Sequence, residues 1–176
     1  MISTPIDAVA SNEYHFITTW RFNATRQEIF EILGNPLALS RWWPEVHIKV
    51  EEVVAGHSNG LGRVIALHTK GWLPYTLNWQ FRVTHVSSPS GFSLVASGDL
   101  VGAGEWTFTQ IGDEVEVVYD WQVRADKPLL RNLSFLIKPI FSMNHEWAMA
   151  KGEAALRREI ARLREMKQHA DQIWTS

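Results

Sequence analysis

From Glu13 onward the chain alternates apolar and polar residues, and the alternation returns in segment after segment up to about residue 124. A period of two puts alternate side chains on one face of a β-strand. The pattern predicts strands over 13–22, 45–55, 62–70, 75–86, 91–98, 103–111 and 114–124. Four times within it a Trp or Tyr and a second large aromatic stand two residues apart: Trp20/Phe22, Trp79/Phe81, Trp106/Phe108 and Tyr119/Trp121. Four strands therefore turn bulky rings toward one side of a sheet. The breaks Ser58-Asn59-Gly60, Ser87-Ser88-Pro89-Ser90-Gly91 and Gly112-Asp113 carry turn residues. Connections this short favour an antiparallel meander.

Helical patterns occur in two places. Thr25-Arg26-Gln27-Glu28 has capping-box spacing, and Ile29, Phe30, Ile32 and Leu33 form the apolar stripe of a short helix that Gly34 ends. Asn35-Pro36 starts a second short helix with Asn35 as its cap, and Pro44 stops it. The C-terminal helical region opens at Ala125-Asp126-Lys127-Pro128. Pro139 is expected to interrupt it, with a short helix or kinked turn before and a long helix from Ile140 to about Lys167, roughly 40 Å long. The predicted buried stripe of that helix is Asn144, Trp147, Ala148, Gly152, Leu156, Ile160 and Leu163. Arg157, Arg158, Arg162, Arg164 and Lys167 take the other side, and Glu153/Arg157 has the favourable i,i+4 order. Residues 1–12 are small, polar and aperiodic, which predicts a flexible arm; a single domain over 13–168 and a tail over 169–176 complete the division.

Composition narrows the function classes. A chain of 176 residues fits one domain able to bury roughly 70% of its unfolded surface. A net charge of −2 argues against a nucleic-acid partner, whose footprint is a basic excess. Nine Trp are many for this length, and Trp is frequent where a surface or pocket grips something apolar. With no Cys, disulfides and thiol catalysis are excluded. Met1–Asp7 has neither a basic nor an apolar region of the signal-peptide kind, and no apolar run approaches the roughly 20 residues of a membrane span. The default expectation is a soluble cytoplasmic protein without integral membrane association, as a monomer or a homodimer.

The order strand, two short helices, six strands, long helix resembles the START-like (SRPBCC) superfamily, in particular its polyketide cyclase/dehydrase and lipid-transport branch. The resemblance covers about residues 13–165. Its local marks are Phe22-Asn23-Ala24-Thr25, Ser40-Arg41-Trp42-Trp43-Pro44, the Trp106–Phe108 strand and Asn144 to Leu156. It implies an α+β helix-grip fold, in which a curved antiparallel sheet of about seven strands wraps a long C-terminal helix. It also implies a space between sheet and helix that holds an apolar ligand.

The inward rings either fill a core or wall a pocket. One helix has too little volume to close-pack four aromatic strand faces, which favours a pocket of ordinary small-molecule size. Its candidate ligand contacts are Trp79, Phe81, Trp106, Phe108, Tyr119 and Trp121 from the strands and Trp147 from the helix. His68 and Asn144 are the polar candidates, and Tyr14 also has inward parity. His68 depends on whether Val64/Ala66/His68 or Ile65/Leu67/Thr69 face inward; His85 shares the parity of Trp79 but sits at a strand end. Trp42, Trp43, Trp72 and Tyr75 mark the expected cavity mouth. Gly152 reads as a point of close helix–sheet approach, and Gly98, Gly102 and Gly104 as a bulge or tight bend.

No cofactor or metal is predicted. Gly60-Leu61-Gly62 and Gly102-Ala103-Gly104 do not open a helix after a strand, and His145-Glu146-Trp147-Ala148-Met149 has Met where a zinc helix needs its second His. No nucleophile–base pair is recognisable, and Glu105, Asp120, Arg82 and Arg124 have the parity opposite to the aromatics. Three functions remain. The first is binding of a lipid- or polyketide-like molecule. The second is cyclase/aromatase or dehydratase chemistry in the same cavity, with His68, Tyr119 and Asn144 as its first polar groups. The third is a protein-interaction module using Trp72–Tyr75 and the cationic side of the last helix.

Overall fold

The computed structural model describes residues 13–125 and 134–174, apart from the side chains of 134–138 and 174. The arm expected over 1–12 and the Asp126–Pro128 entry to the helical region lie outside these residues. Strands β1 (Glu13–Phe22), β2 (His47–Val54), β3 (Val64–Lys70), β4 (Thr76–Ser87), β5 (Gly91–Gly98), β6 (Leu100–Ile111) and β7 (Glu114–Ala125) form one antiparallel sheet. Its order is β1-β7-β6-β5-β4-β3-β2. Consecutive strands pair from β2 to β7, as short turns dictate, and β1 closes on β7. The alternation works as expected in β7, where Val115, Val117, Tyr119, Trp121 and Val123 are buried and Gln122 and Arg124 exposed.

Two strands depart from a plain period of two. In β4, Leu77, Trp79, Phe81 and Val83 point inward, but the register with β5 shifts between Val83 and His85. The extra residue moves His85 to solvent, where its Nε2 meets Ser87 Oγ at 2.9 Å, despite its parity with Trp79. In β6 no bulge occurs at Gly102 or Gly104; the ladder to β7 runs unbroken from Leu100↔Ala125 to Ile111↔Glu114. The bend falls instead at the β5–β6 turn, where Gly98 has φ 107°. Gly104 has a packing role, since a Cβ there would lie 2.8 Å from both the Tyr119 hydroxyl and the Trp121 ring.

Helix α1 (Arg26–Leu33) carries the expected capping box between Thr25 and Glu28. Gly34 ends it in a right-handed conformation (φ −73°), without a left-handed residue. Pro36–Ala38 is a 3₁₀ turn without a side-chain bond from Asn35, so Asn35 does not cap it, and α2 (Leu39–Trp42) is a single turn. The long helix α3 runs from Ser134 to Trp174 through Pro139. The proline sits inside the helix without ending it. The helix also passes the expected end at Lys167, so the segment assigned to a tail is helical as far as Trp174.

Arginines bind the helices together. Glu28 of the capping box receives Arg164 Nε at 2.7 Å, tying α1 to α3. Glu159, 4% exposed, accepts from Arg41 of α2 and from Arg162 on its own helix. Arg158 reaches Glu45, and Arg157 donates to Glu153 and to the Arg21 carbonyl. The cationic side of α3 is thus largely engaged within the chain.

Candidate functional site

The inner space divides into a filled end and an open one. Around α1 the core is closed: Phe22, Ile29, Phe108, Val115, Val117 and Leu156 are almost fully buried. Phe108 meets Phe30 and Phe92 at 6.5 and 6.2 Å between centroids. Such rings contribute about 2–3 kcal/mol each by burial. Phe108 therefore belongs to the core and does not line the cavity, because α1 fills the space above it.

Beyond that packing lies a cavity of about 180 Å³ between sheet and α3. Trp79, Phe81, Trp106, Tyr119 and Trp121 line it, as the sequence indicates. Trp106 and Tyr119 are cross-strand partners stacked at 4.1 Å and 13°, and Tyr119 continues onto Trp121 at 5.6 Å and 18°. These three rings are stacked on one another, so Tyr119 gives its faces to Trp106 and Trp121, and the stack as a whole forms the aromatic floor. The Tyr119 phenol is buried, and burial raises its pKa above the ordinary value. Leu67, Leu77, Leu94, Leu100, Phe141 and Met149 complete the apolar wall. The volume is smaller than that of ordinary small-molecule sites, roughly 300–1,000 Å³.

The polar residues are mostly not those expected. His68 faces away from the cavity, and its Nδ1 lies 2.8 Å from Asn78 Oδ1 near the outer surface. The inward parity of β3 belongs to Ile65, Leu67 and Thr69. Thr69 lines the cavity and accepts the Trp79 indole N–H at 3.0 Å. Asn144 is buried and lines the cavity, but its Oδ1 accepts the backbone N–H groups of Trp72 (2.9 Å) and Leu73 (3.3 Å). Its first task is to hold the β3–β4 loop to α3. Trp147 is half-buried beneath Lys151 and does not line the cavity.

At the mouth, Trp43 and Tyr75 line the cavity, whereas Trp42 is buried behind Trp43 and stacked on it at 5.7 Å. Trp72 is 48% exposed and outside the lining. Tyr14 packs on Phe141 at 4.4 Å. On α3 the buried stripe also includes Phe141, Met149, Ala155 and Glu159, while Leu163 is exposed. The stripe is thus wider than predicted and stops short of Leu163.

Two histidines not singled out for the site line the cavity: His47 at the start of β2 and His145 on α3. Burial lowers His47 to a pKa of about 4, with the Trp43 carbonyl opposing part of that shift. Burial likewise lowers His145 to about 4, and its ring stacks on Phe16 at 4.0 Å. Both are neutral near pH 7. His47 Nδ1, His145 Nε2 and Trp43 Nε1 are buried without a hydrogen-bond partner among the described residues. The spacing Phe141, His145, Met149 is the i,i+4 signal that would have placed His145 inward. Among the described residues no three His, Asp or Glu side chains converge as metal ligands would. No helix among them is long and apolar enough to cross a membrane.

Seven antiparallel strands closing around one long C-terminal helix, with a cavity between, define the architecture. The fold is START-like. A START superfamily protein from Mycobacterium smegmatis superposes with a TM-score of 0.68 at 15% identity, over 85% of this chain and 98% of that one. The Zhui aromatase/cyclase from Streptomyces sp. R1128 gives 0.63 at 17%, over 85% and 94%. A Thalictrum norcoclaurine synthase point mutant, in complex with a transition-state analogue, gives 0.60 at 13%, over 86% and 96%. No protein-family model matches the sequence, and neither does any curated protein. At these identities the likeness shows the START-like fold alone.

Proposed function

We propose that this START-like chain binds a hydrophobic or aromatic small molecule in the cavity between sheet and C-terminal helix. The observation that carries the reading is a cavity of about 180 Å³ beside a stacked Trp106–Tyr119–Trp121 floor. An apolar cavity of about 150 Å³ stays dry and takes up a benzene-sized guest. This space therefore suits a compact ring system better than a long-chain lipid. Native mass spectrometry of freshly purified protein tests the proposal: a retained apolar compound of low mass is expected. Apo protein throughout, with no uptake of an added one- or two-ring aromatic, would refute it.

A second reading, cyclase/aromatase or dehydratase activity in the same cavity, is favoured by one observation. His47 is buried and His145 half-buried, both are neutral, and each carries a buried ring nitrogen that has no partner among the described residues and is able to take or give a proton. They replace the groups the sequence pointed to: His68 faces outward, Asn144 holds a loop, and the Tyr119 phenol is a poor proton donor. Turnover of a poly-β-ketone analogue that is lost in both His47→Leu and His145→Leu supports it; unchanged product ratios in both variants reject it.

A further inference from the structure

Buried polar atoms are almost always hydrogen-bonded, and one left unpartnered destabilises the fold. Trp43 Nε1, His47 Nδ1 and His145 Nε2 are such atoms, and all three residues line one cavity. Thr69 adds a fourth polar group. It pairs with His47 in the β2–β3 ladder, and its oxygen already accepts the Trp79 indole N–H, which leaves its hydroxyl proton to donate. The cavity is thus two-sided in chemistry: an aromatic floor from β6 and β7, and a set of neutral donors and acceptors from β2, β3 and α3. Among the described residues no carboxylate lines it, and the one cationic side chain in that lining belongs to the exposed Lys70. A charged ligand would lose its hydration without a counter-charge.

We propose that the ligand is a neutral aromatic of one or two rings bearing a hydroxyl or carbonyl group, packed against the Trp106–Tyr119–Trp121 stack with its oxygen held by His47, Thr69 and His145. This rests on the binding function proposed above and adds the ligand's class. The ring count follows from the volume of about 180 Å³, the aromatic character from the rings that line it, the neutrality from the lack of carboxylates among the described lining residues, and the oxygen from the unpartnered atoms.

Equilibrium dialysis of the full chain against naphthalene, 2-naphthol and 2-naphthoate separates the two claims. On the unsubstituted protein, 2-naphthol should bind about tenfold more tightly than naphthalene, the worth of one or two good hydrogen bonds. Naphthoate should bind most weakly. Thr69→Val, His145→Leu and His47→Leu should each shrink the ratio of naphthol to naphthalene affinity measured on the same variant. Equal affinity for naphthol and naphthalene, or preference for naphthoate, would overturn the ligand class and leave cavity binding standing. Binding of none of the three would overturn both. The comparison of probes on the unsubstituted chain decides the matter even if a variant fails to fold.

Discussion

The Trp43 indole lies directly against Gly152 of α3, so close that a Cβ at Gly152 would overlap the ring. The glycine was expected to let helix and sheet approach; it receives instead the tryptophan that follows α2. Trp43 is 6% exposed and lines the cavity, so this contact helps to set one wall of the site.

Gly152→Ala should therefore destabilise the protein, although Ala is the better helix former. Overpacking costs about 1–3 kcal/mol against a propensity gain of about 1 kcal/mol. A net loss of up to about 2 kcal/mol is expected, lowering the melting temperature by up to roughly 8 °C. The ring can relieve the overlap only by moving toward the open space beside it, so affinity for an aromatic probe should fall as well. Thermal unfolding and probe dialysis on the same variant check both effects.

The two cavity histidines make the protein acid-sensitive. Both are held neutral when folded, with pKa about 4 against an ordinary 6.5. Between those values the unfolded chain binds more protons, so stability falls as pH drops from about 6.5 toward 4. Each His contributes on the order of 2 kcal/mol to that fall. Urea titrations at stepped pH should show it, and the slope should flatten in His47→Leu and His145→Leu.

A second acid transition should follow at lower pH. Arg164 holds the Glu28 carboxyl at about 2. Burial pushes Glu159 up, but Arg162 and Arg41 outweigh it and hold it at about 2 as well. These depressed carboxylates stabilise the fold above their ordinary value of 4.5, and that stability is lost as pH falls through 4.5 toward 2. Glu159→Gln should cost about 1–3 kcal/mol at pH 7, since it leaves Arg41 and Arg162 facing each other without their anion. Arg41→Met should cost less, because Arg162 remains paired and Arg41 is half-exposed. Urea midpoints of the two variants and their double mutant give the coupling.

Asn144→Leu should loosen the β3–β4 loop without unfolding the sheet. It removes the acceptor of two loop N–H groups, at a cost of about 1–2 kcal/mol. Amide exchange at Trp72 and Leu73 should accelerate, while β6 and β7 stay protected. Asn144→Asp, which keeps an acceptor, should restore slow exchange at neutral pH.

The elements of this protein were legible because their causes are local. A period of two located all seven strands, and Thr25/Glu28 capped α1 by spacing alone. The aromatic parity at Trp79, Phe81, Trp106, Tyr119 and Trp121 was likewise correct, since which side of a strand a residue takes is a backbone property. What period cannot carry is how far apart the faces stand. Phe108 has the same parity as Trp106, yet α1 packs over one and leaves the other open.

The polar side of the cavity was decided by tertiary structure. His68 and Thr69 are neighbours on one short strand, and only the pairing of β3 with β2 and β4 chose which faced inward. His47 and His145 are far apart in sequence, and each is unremarkable in its own segment. They line one cavity only because the folded chain brings the start of β2 and the face of α3 that packs on β1 to the same space. Sequence by itself determined the strands, the caps and the aromatic face, all set within a few residues. Only the folded chain decided which rings stay uncovered and which polar atoms meet there, because volume and desolvation depend on residues distant in sequence.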